Sequence, residues 1–225
     1  MIGVLNYGAG NLGSVMNALA RLGLPAQFVA GPEELQIRRG VGRHGKTRSP
    51  QAGPPYTAII FPGDGHFTTA MGALEQSGYA EAIQEWIAAD LPFLGICIGL
   101  QLLFETSEEA PPVQGREVRG LSIIQGRVRK FQGPKVPQIG WNETRGKARS
   151  RLFRDLPERS FFYYIHSYYV APDHADWTAA EADYYGTYCS AVERGALTAV
   201  QFHPEKSGAL GLDLLRRWAE VYHVS

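Results

Sequence analysis

The chain has 225 residues, with 22 basic and 22 acidic side chains and no formal net charge. Hydrophobic residues make up 44% and charged residues 20%, enough apolar surface for a real core, so wholesale disorder is excluded. Charge balance argues against a main role in gripping nucleic acid or anionic membrane, and two cysteines make neither a disulfide framework nor a zinc cluster.

The first residues lack a basic leader region and are interrupted by Asn and Gly where a leader would be apolar. With no run of 18 apolar residues and reduced thiols as the default, the expectation is a cytoplasmic chain outside the membrane. Residues 1–6 read as a short buried strand and 7–10 as a turn. Residues 11–22 carry helical spacing through Leu12, Val15, Met16, Leu19 and Leu22. A second strand covers 27–30, and Pro32 opens a helix. Residues 38–55 differ: Arg38, Arg39, Arg43, Lys46 and Arg48 sit among Gly, Ser and Pro without an acid, which predicts a mobile basic surface loop. No aromatics interleave those charges, so a nucleic-acid grip is disfavoured.

Residues 57–61 form an apolar strand ending in Pro62-Gly63-Asp64-Gly65. An amphipathic helix follows at 80–89, a buried strand at 92–96 and a helix at 99–105. Alternating strands and helices imply a parallel sheet wrapped on both faces. After Gly120 the pattern becomes strand-like, at 121–131, 161–170, 178–183 and 188–202, with a hairpin turn at Glu193-Arg194-Gly195. A helix at 207–222 closes the chain. The reading is one α/β domain over 1–225, a largely parallel central sheet with helices on both faces and an antiparallel C-terminal extension.

The strongest local feature is Gly95-Ile96-Cys97-Ile98-Gly99 between a buried strand and a helix. It follows the nucleophile-elbow pattern with Cys in the nucleophile position. Such a turn lifts one side chain out at the carboxyl ends of the strands. The new helix aims N–H groups, that of Ile98 in particular, at a thiolate or an oxyanion. A buried structural cysteine between two packing glycines fits the same five residues. The second feature is His203-Pro204-Glu205 after an apolar strand. Residues two apart in an extended segment project to one side, so Glu205 can orient the imidazole of His203, which activates Cys97. Together the two features favour a Cys97–His203–Glu205 triad, and Cys189, with no neighbouring His, reads as core. The glycine-rich loop Gly63-Asp64-Gly65 can offer backbone N–H groups to developing negative charge. A third glycine motif, Gly8 to Gly13, matches a dinucleotide loop. The acid it needs at the end of the second strand is missing from 29–32, with Glu33 just beyond.

Gly95-Ile96-Cys97-Ile98-Gly99-Leu100-Gln101 with His203-Pro204-Glu205 resembles the class I (triad) glutamine amidotransferases. Four further stretches look like the glutaminase subunits of imidazole glycerol phosphate synthase: those beginning at Asn6, Val136, Tyr164 and Gln201. The resemblance runs from Gly3 to the C-terminus, with the basic loop as an insertion. It implies that Cys97 attacks the glutamine amide, that His203 moves the proton and that Glu205 holds His203. It implies a glutamine pocket lined by Gln101, Glu109, Ser167 and Tyr168, and partner-facing positions at Asn11, Gln138 and Lys206. The implied partner is a (β/α)8-barrel cyclase, in a heterodimer that passes ammonia inward to make imidazole glycerol phosphate in histidine biosynthesis. No cofactor and no metal are implied, and neither nucleic acid nor membrane is a partner. One departure stands out: the family's oxyanion loop commonly carries Val where this chain has Asp64. Asp64 is expected to point outward or toward the partner. Rival readings are a glutaminase serving a pyridoxal phosphate, purine or anthranilate synthase, an elbow-type cysteine hydrolase, and a nucleotide-binding module using the Gly8 to Gly13 loop.

Overall fold

A computed structural model describes residues 1–8, 12–37, 54–112, 115 and 117–224. The expectations for Asn11, for most of the basic loop and for the centre of the Gly8 to Gly13 motif lie outside the described residues. In chain order the first half holds β1 (Ile2–Leu5), α1 (Leu12–Arg21), β2 (Ala26–Val29), β3 (Ala58–Phe61), α2 (Phe67–Ser77), α3 (Tyr79–Ala88), β4 (Phe93–Ile96), α4 (Ile98–Gln101) and β5 (Phe104–Ser107). The second half holds β6 (Ile124–Lys130), β7 (Gln138–Gly146), β8 (Ser160–His166), β9 (Tyr168–Pro172), β10 (Thr178–Asp183), β11 (Thr187–Arg194), β12 (Leu197–Val200) and α5 (Gly208–Val221).

One sheet runs through the molecule in the order β2-β1-β3-β4-β12-β11-β10-β7-β8, with β5, β6 and β9 branching from it. The first five strands of that order are parallel and the pairs from β12 outward are antiparallel. The central strands are apolar throughout because both their faces are covered. Ile59 and Phe61 pack with Phe67, Leu74 and Trp86 from α2 and α3, whereas Ala58 and Ile60 pack with Val15, Leu19 and Trp218 from α1 and α5.

The expected α/β architecture with its antiparallel extension is present, with five local corrections. Pro32–Leu35 is a single 3-10 turn. The helix α2 carries apolar residues at Phe67, Ala70, Met71 and Leu74, and ends at Gly78, whose φ of 74° lets its N–H close back on Glu75. The helix expected at 99–105 stops at Gln101, because Phe104 pairs with Ile124 in a strand. The strand β7 was not expected, and the expected 161–170 strand is two, broken at Ser167.

The feature that builds the site is the position of β12. The last strand of the chain inserts beside β4, parallel to it, with Val200 opposite Ile96. Both strands therefore end at the same level: Cys97 follows one, and Gln201 to His203 follow the other. The Cys97 N–H donates to the Val200 carbonyl at 2.8 Å, which ties the two ends together.

Candidate active site

Cys97 sits at φ 55° and ψ −109°, a left-handed conformation that an L side chain adopts only under constraint. The constraint comes from the flanking glycines. A Cβ on Gly99 would lie 2.1 Å from the Phe61 carbonyl oxygen, and one on Gly95 would lie 2.8 Å from the Gly99 carbonyl oxygen. The glycines let the elbow press onto β3, and the positive φ falls on the cysteine itself. Gly99→Ala is expected to cost about 1–3 kcal/mol through overpacking against backbone that cannot yield. A denaturant midpoint equal to wild type would show that the elbow has room.

His203 is buried, and its Nδ1 lies 2.8 Å from Glu205 Oε1. The Glu205 side chain is only 2% exposed. The backbone of His203 is clamped to β8: its N–H donates to the Tyr163 carbonyl at 2.9 Å, and its carbonyl accepts from Ser207 Oγ at 2.6 Å. Ser207 Oγ in turn accepts the Tyr163 N–H at 2.9 Å. Burial pulls the imidazole down, but the charge of Cys97 and then the carboxylate of Glu205 outweigh that and raise His203 to about 10. Nε2 is buried and closes no hydrogen bond among the described residues, so the sulfur acts on it through charge and proximity in this resting arrangement. Cys189 is buried on β11, where desolvation pushes its thiol up to about 12, as suits a core residue.

The Pro62 to Gly65 loop lies against the elbow. A Cβ on Gly63 would meet the Ile98 side chain at 2.0 Å and Tyr7 Oη at 2.4 Å. Asp64 is exposed. Tyr7 Oη is buried and finds no hydrogen-bond partner among the described residues, and burial followed by the charges of Cys97 and Asp64 holds the phenol well above its ordinary range. Tyr7 lies within one of the recognised stretches, but nothing in its local pattern pointed to this place.

Of the residues expected to line a glutamine pocket, Gln101 donates from Nε2 to the Tyr168 carbonyl at 3.0 Å. Ser167 lies between β8 and β9, next to Tyr168. Burial, then the charges of Glu109 and Glu108, raise the Tyr168 phenol. The Glu109 carboxylate also accepts the Phe67 N–H at 2.9 Å and pairs with His66 Nδ1 at 3.0 Å. Gln138, expected to face the partner, points into this chain. It is 3% exposed and bonded through Oε1 to Tyr188, because alternation along β7 turns it inward and leaves Ile139 and Trp141 outside. Lys206 is half-buried in the 3-10 turn beside Glu205. Two further polar residues, Gln201 and His166, belong to this centre although local spacing gave no sign of them; among the described residues their side chains bond to groups distant in sequence or across a strand break. Among the described residues no group of three or more His, Cys, Asp or Glu is placed to hold a metal ion, and no helix is long and apolar enough to cross a membrane.

Comparison with known proteins bears on this arrangement. The family described as "Glutamine amidotransferase class-I" matches residues 4–219. The "Imidazole glycerol phosphate synthase subunit HisH" of Moorella thermoacetica is 39% identical over 221 residues, covering 98% of this chain and 94% of that protein. The "Imidazole glycerol phosphate synthase hisHF, chloroplastic" of Arabidopsis thaliana is 40% identical over 223 residues, covering 97% of this chain and 34% of that longer protein. A crystal structure of a glutamine amidotransferase superposes with a TM-score of 0.69 at 20% identity over 99% of both chains, a likeness of fold. The chain therefore belongs to the class-I glutamine amidotransferases and, among them, to the family of imidazole glycerol phosphate synthase HisH subunits.

Proposed function

We propose that this chain hydrolyses glutamine through Cys97, His203 and Glu205, and delivers the ammonia to a (β/α)8-barrel cyclase bound to it as a heterodimer in the cytoplasm. As a family member it is a glutamine amidotransferase enzyme of histidine biosynthesis. The Cys97 sulfur attacks the side-chain amide carbon, and the oxyanion forms where the Ile98 and Gly63–Gly65 backbone N–H groups can meet it. His203 gives its proton to the departing nitrogen, the C–N bond breaks, and ammonia leaves a thioester behind. Water then adds to the thioester, its proton passes to His203, and the C–S bond breaks to release glutamate. Glu205 keeps the imidazole oriented throughout. The observation that carries the reading is the buried His203–Glu205 pair set beside a strained, buried cysteine at a strand end.

A partner is supported by the surface next to that pair. Ile139, Trp141, Ile165 and Phe161 are 59%, 58%, 41% and 38% exposed. Ile139 faces Ile165 and Trp141 faces Tyr163 across the β7–β8 pair, so they share one face. Trp141 reaches Gly208 at the start of α5, just beyond Glu205 and Lys206. An apolar patch rimmed by polar groups marks a binding surface. Ammonia lost to water at neutral pH would protonate and cease to be a nucleophile, which favours a sealed contact here.

Glutamate release from glutamine by the full chain tests this. Release is expected to be slow for the chain alone, faster with the barrel cyclase and faster again with the cyclase's nucleotide. Full turnover by the chain alone, indifferent to that partner, would overturn the reading.

A further inference from the structure

Two buried glutamines lie beside the nucleophile, and one of them has no role in the steps above. Gln201 is 0% exposed, in the short segment between β12 and His203. Its Nε2 donates toward Cys97 Sγ at 3.8 Å. Gln101, 3% exposed, places Nε2 at 3.1 Å from Gln201 Oε1 and at 3.0 Å from the Tyr168 carbonyl oxygen.

The two ends of a side-chain amide have nearly the same shape, so its orientation is decided by its partners. The Tyr168 carbonyl can only accept. Gln101 must therefore turn its NH2 group toward it. The second hydrogen of that NH2 reaches Gln201, which must then offer its oxygen. This leaves the Gln201 NH2 facing the sulfur. Flipping either amide sets oxygen against oxygen or nitrogen against nitrogen. The Tyr168 carbonyl is itself held, since His166 Nδ1 lies 2.8 Å from it. Burial keeps His166 neutral, down to about 4, so the ring carries its single hydrogen on the nitrogen that faces this acceptor. Both lone pairs of one backbone carbonyl are thus used, and that carbonyl sets the direction of both amides. The Gln101 Oε1 atom stands outside the chain of bonds and is what Gln101 offers to a ligand.

We infer that Gln201 is a positioning residue for the glutaminase reaction: its NH2 supports charge on the Cys97 sulfur, and its oxygen locks Gln101 with Oε1 turned to the substrate's ammonium group. This rests on the reading of Cys97 as nucleophile and Gln101 as pocket residue. It assigns one side chain to two tasks, activating the sulfur and holding the pocket in register with it.

Gln201→Met keeps the length of the side chain and removes both hydrogen-bonding ends. Iodoacetamide is small and neutral and lacks the ammonium and carboxylate groups that Gln101 and its neighbours are expected to hold. Its reaction with Cys97, followed by peptide mass at pH 7, is expected to slow about tenfold, the loss of one hydrogen bond to a charged acceptor. Cys189 in the same sample serves as a buried control. In the complex with the cyclase, KM for glutamine is expected to rise about tenfold as Gln101 loses its fixed orientation, together with a fall in kcat. A merely structural role would lower the folded fraction, scaling kcat while leaving KM and the alkylation rate per folded molecule unchanged. That result would overturn the inference.

If Gln201→Met fails to fold, wild-type protein still decides. The side-chain amide protons of Gln101 and Gln201 should exchange slowly with solvent in NMR and shift together when Cys97 is alkylated. Fast exchange, or shifts absent from Gln201, would overturn it. If the wild-type complex releases no glutamate at all, the glutaminase reading fails, whereas the alkylation and NMR results still judge whether Gln201 supports the sulfur.

Discussion

Cys97→Ala is expected to lower glutamate release about 10⁴-fold or more, because no other side chain in the site can form the thioester. The fold should survive. The change removes only a sulfur, and the elbow is held by Gly95, Gly99 and the hydrogen bond from the Cys97 N–H to Val200. A second readout separates loss of the nucleophile from damage to the site. The charge of Cys97 is the largest of the influences that raise His203, so without it the burial that opposes them gains weight. The His203 ring signal should titrate at clearly lower pH than in wild type when followed by NMR. Retained glutaminase activity would remove Cys97 from the mechanism, and an unmoved His203 titration would show that the ring and the sulfur are not coupled.

Glu205→Gln should reduce turnover about 10²–10⁴-fold with little change in glutamine KM, the size expected for misdirecting a general acid–base. The carboxylate oxygen 2.8 Å from His203 Nδ1 accepts a hydrogen there. An amide can instead present its NH2 and favour the tautomer with hydrogen on the wrong nitrogen. The same variant changes the pH dependence of stability. His203 titrates near 10 in the folded chain against about 6.5 when unfolded, so between those values the folded chain holds the extra proton. Its contribution to stability is complete below about pH 6.5 and is lost as pH rises through about 10. Losing the Glu205 charge lowers the folded value and shortens that window from its alkaline end. The gap in denaturation midpoint between wild type and variant should be widest near pH 6 and close toward pH 10. A gap constant across that range would show that Glu205 acts on packing and not on the proton.

The parallel half of the sheet was legible because its strands are buried on both faces, which writes continuous apolar runs into 57–61 and 92–96. The β7 strand was not. It turns Gln138 inward and Ile139 and Trp141 outward, so its alternation is that of a surface awaiting something to cover it. The helix α2 was obscured by the polar and glycine residues between its buried positions, following a glycine-rich loop. Phe104 to Ser107 follow a helix directly and become a strand only because β6 supplies a partner.

The residue types for thiol chemistry, their order along the chain and the two strand ends that carry them were all present in the linear text, since elbow and His-Pro-Glu are local patterns. What had to wait for the folded chain is how they meet. Gln201 is 104 residues from Cys97 and 100 from Gln101, and Gln101 is 67 from Tyr168. No spacing rule reaches across such separations. They become neighbours because the final strand slots in beside β4 and ends level with it, and strand order is a property of the whole sheet's packing.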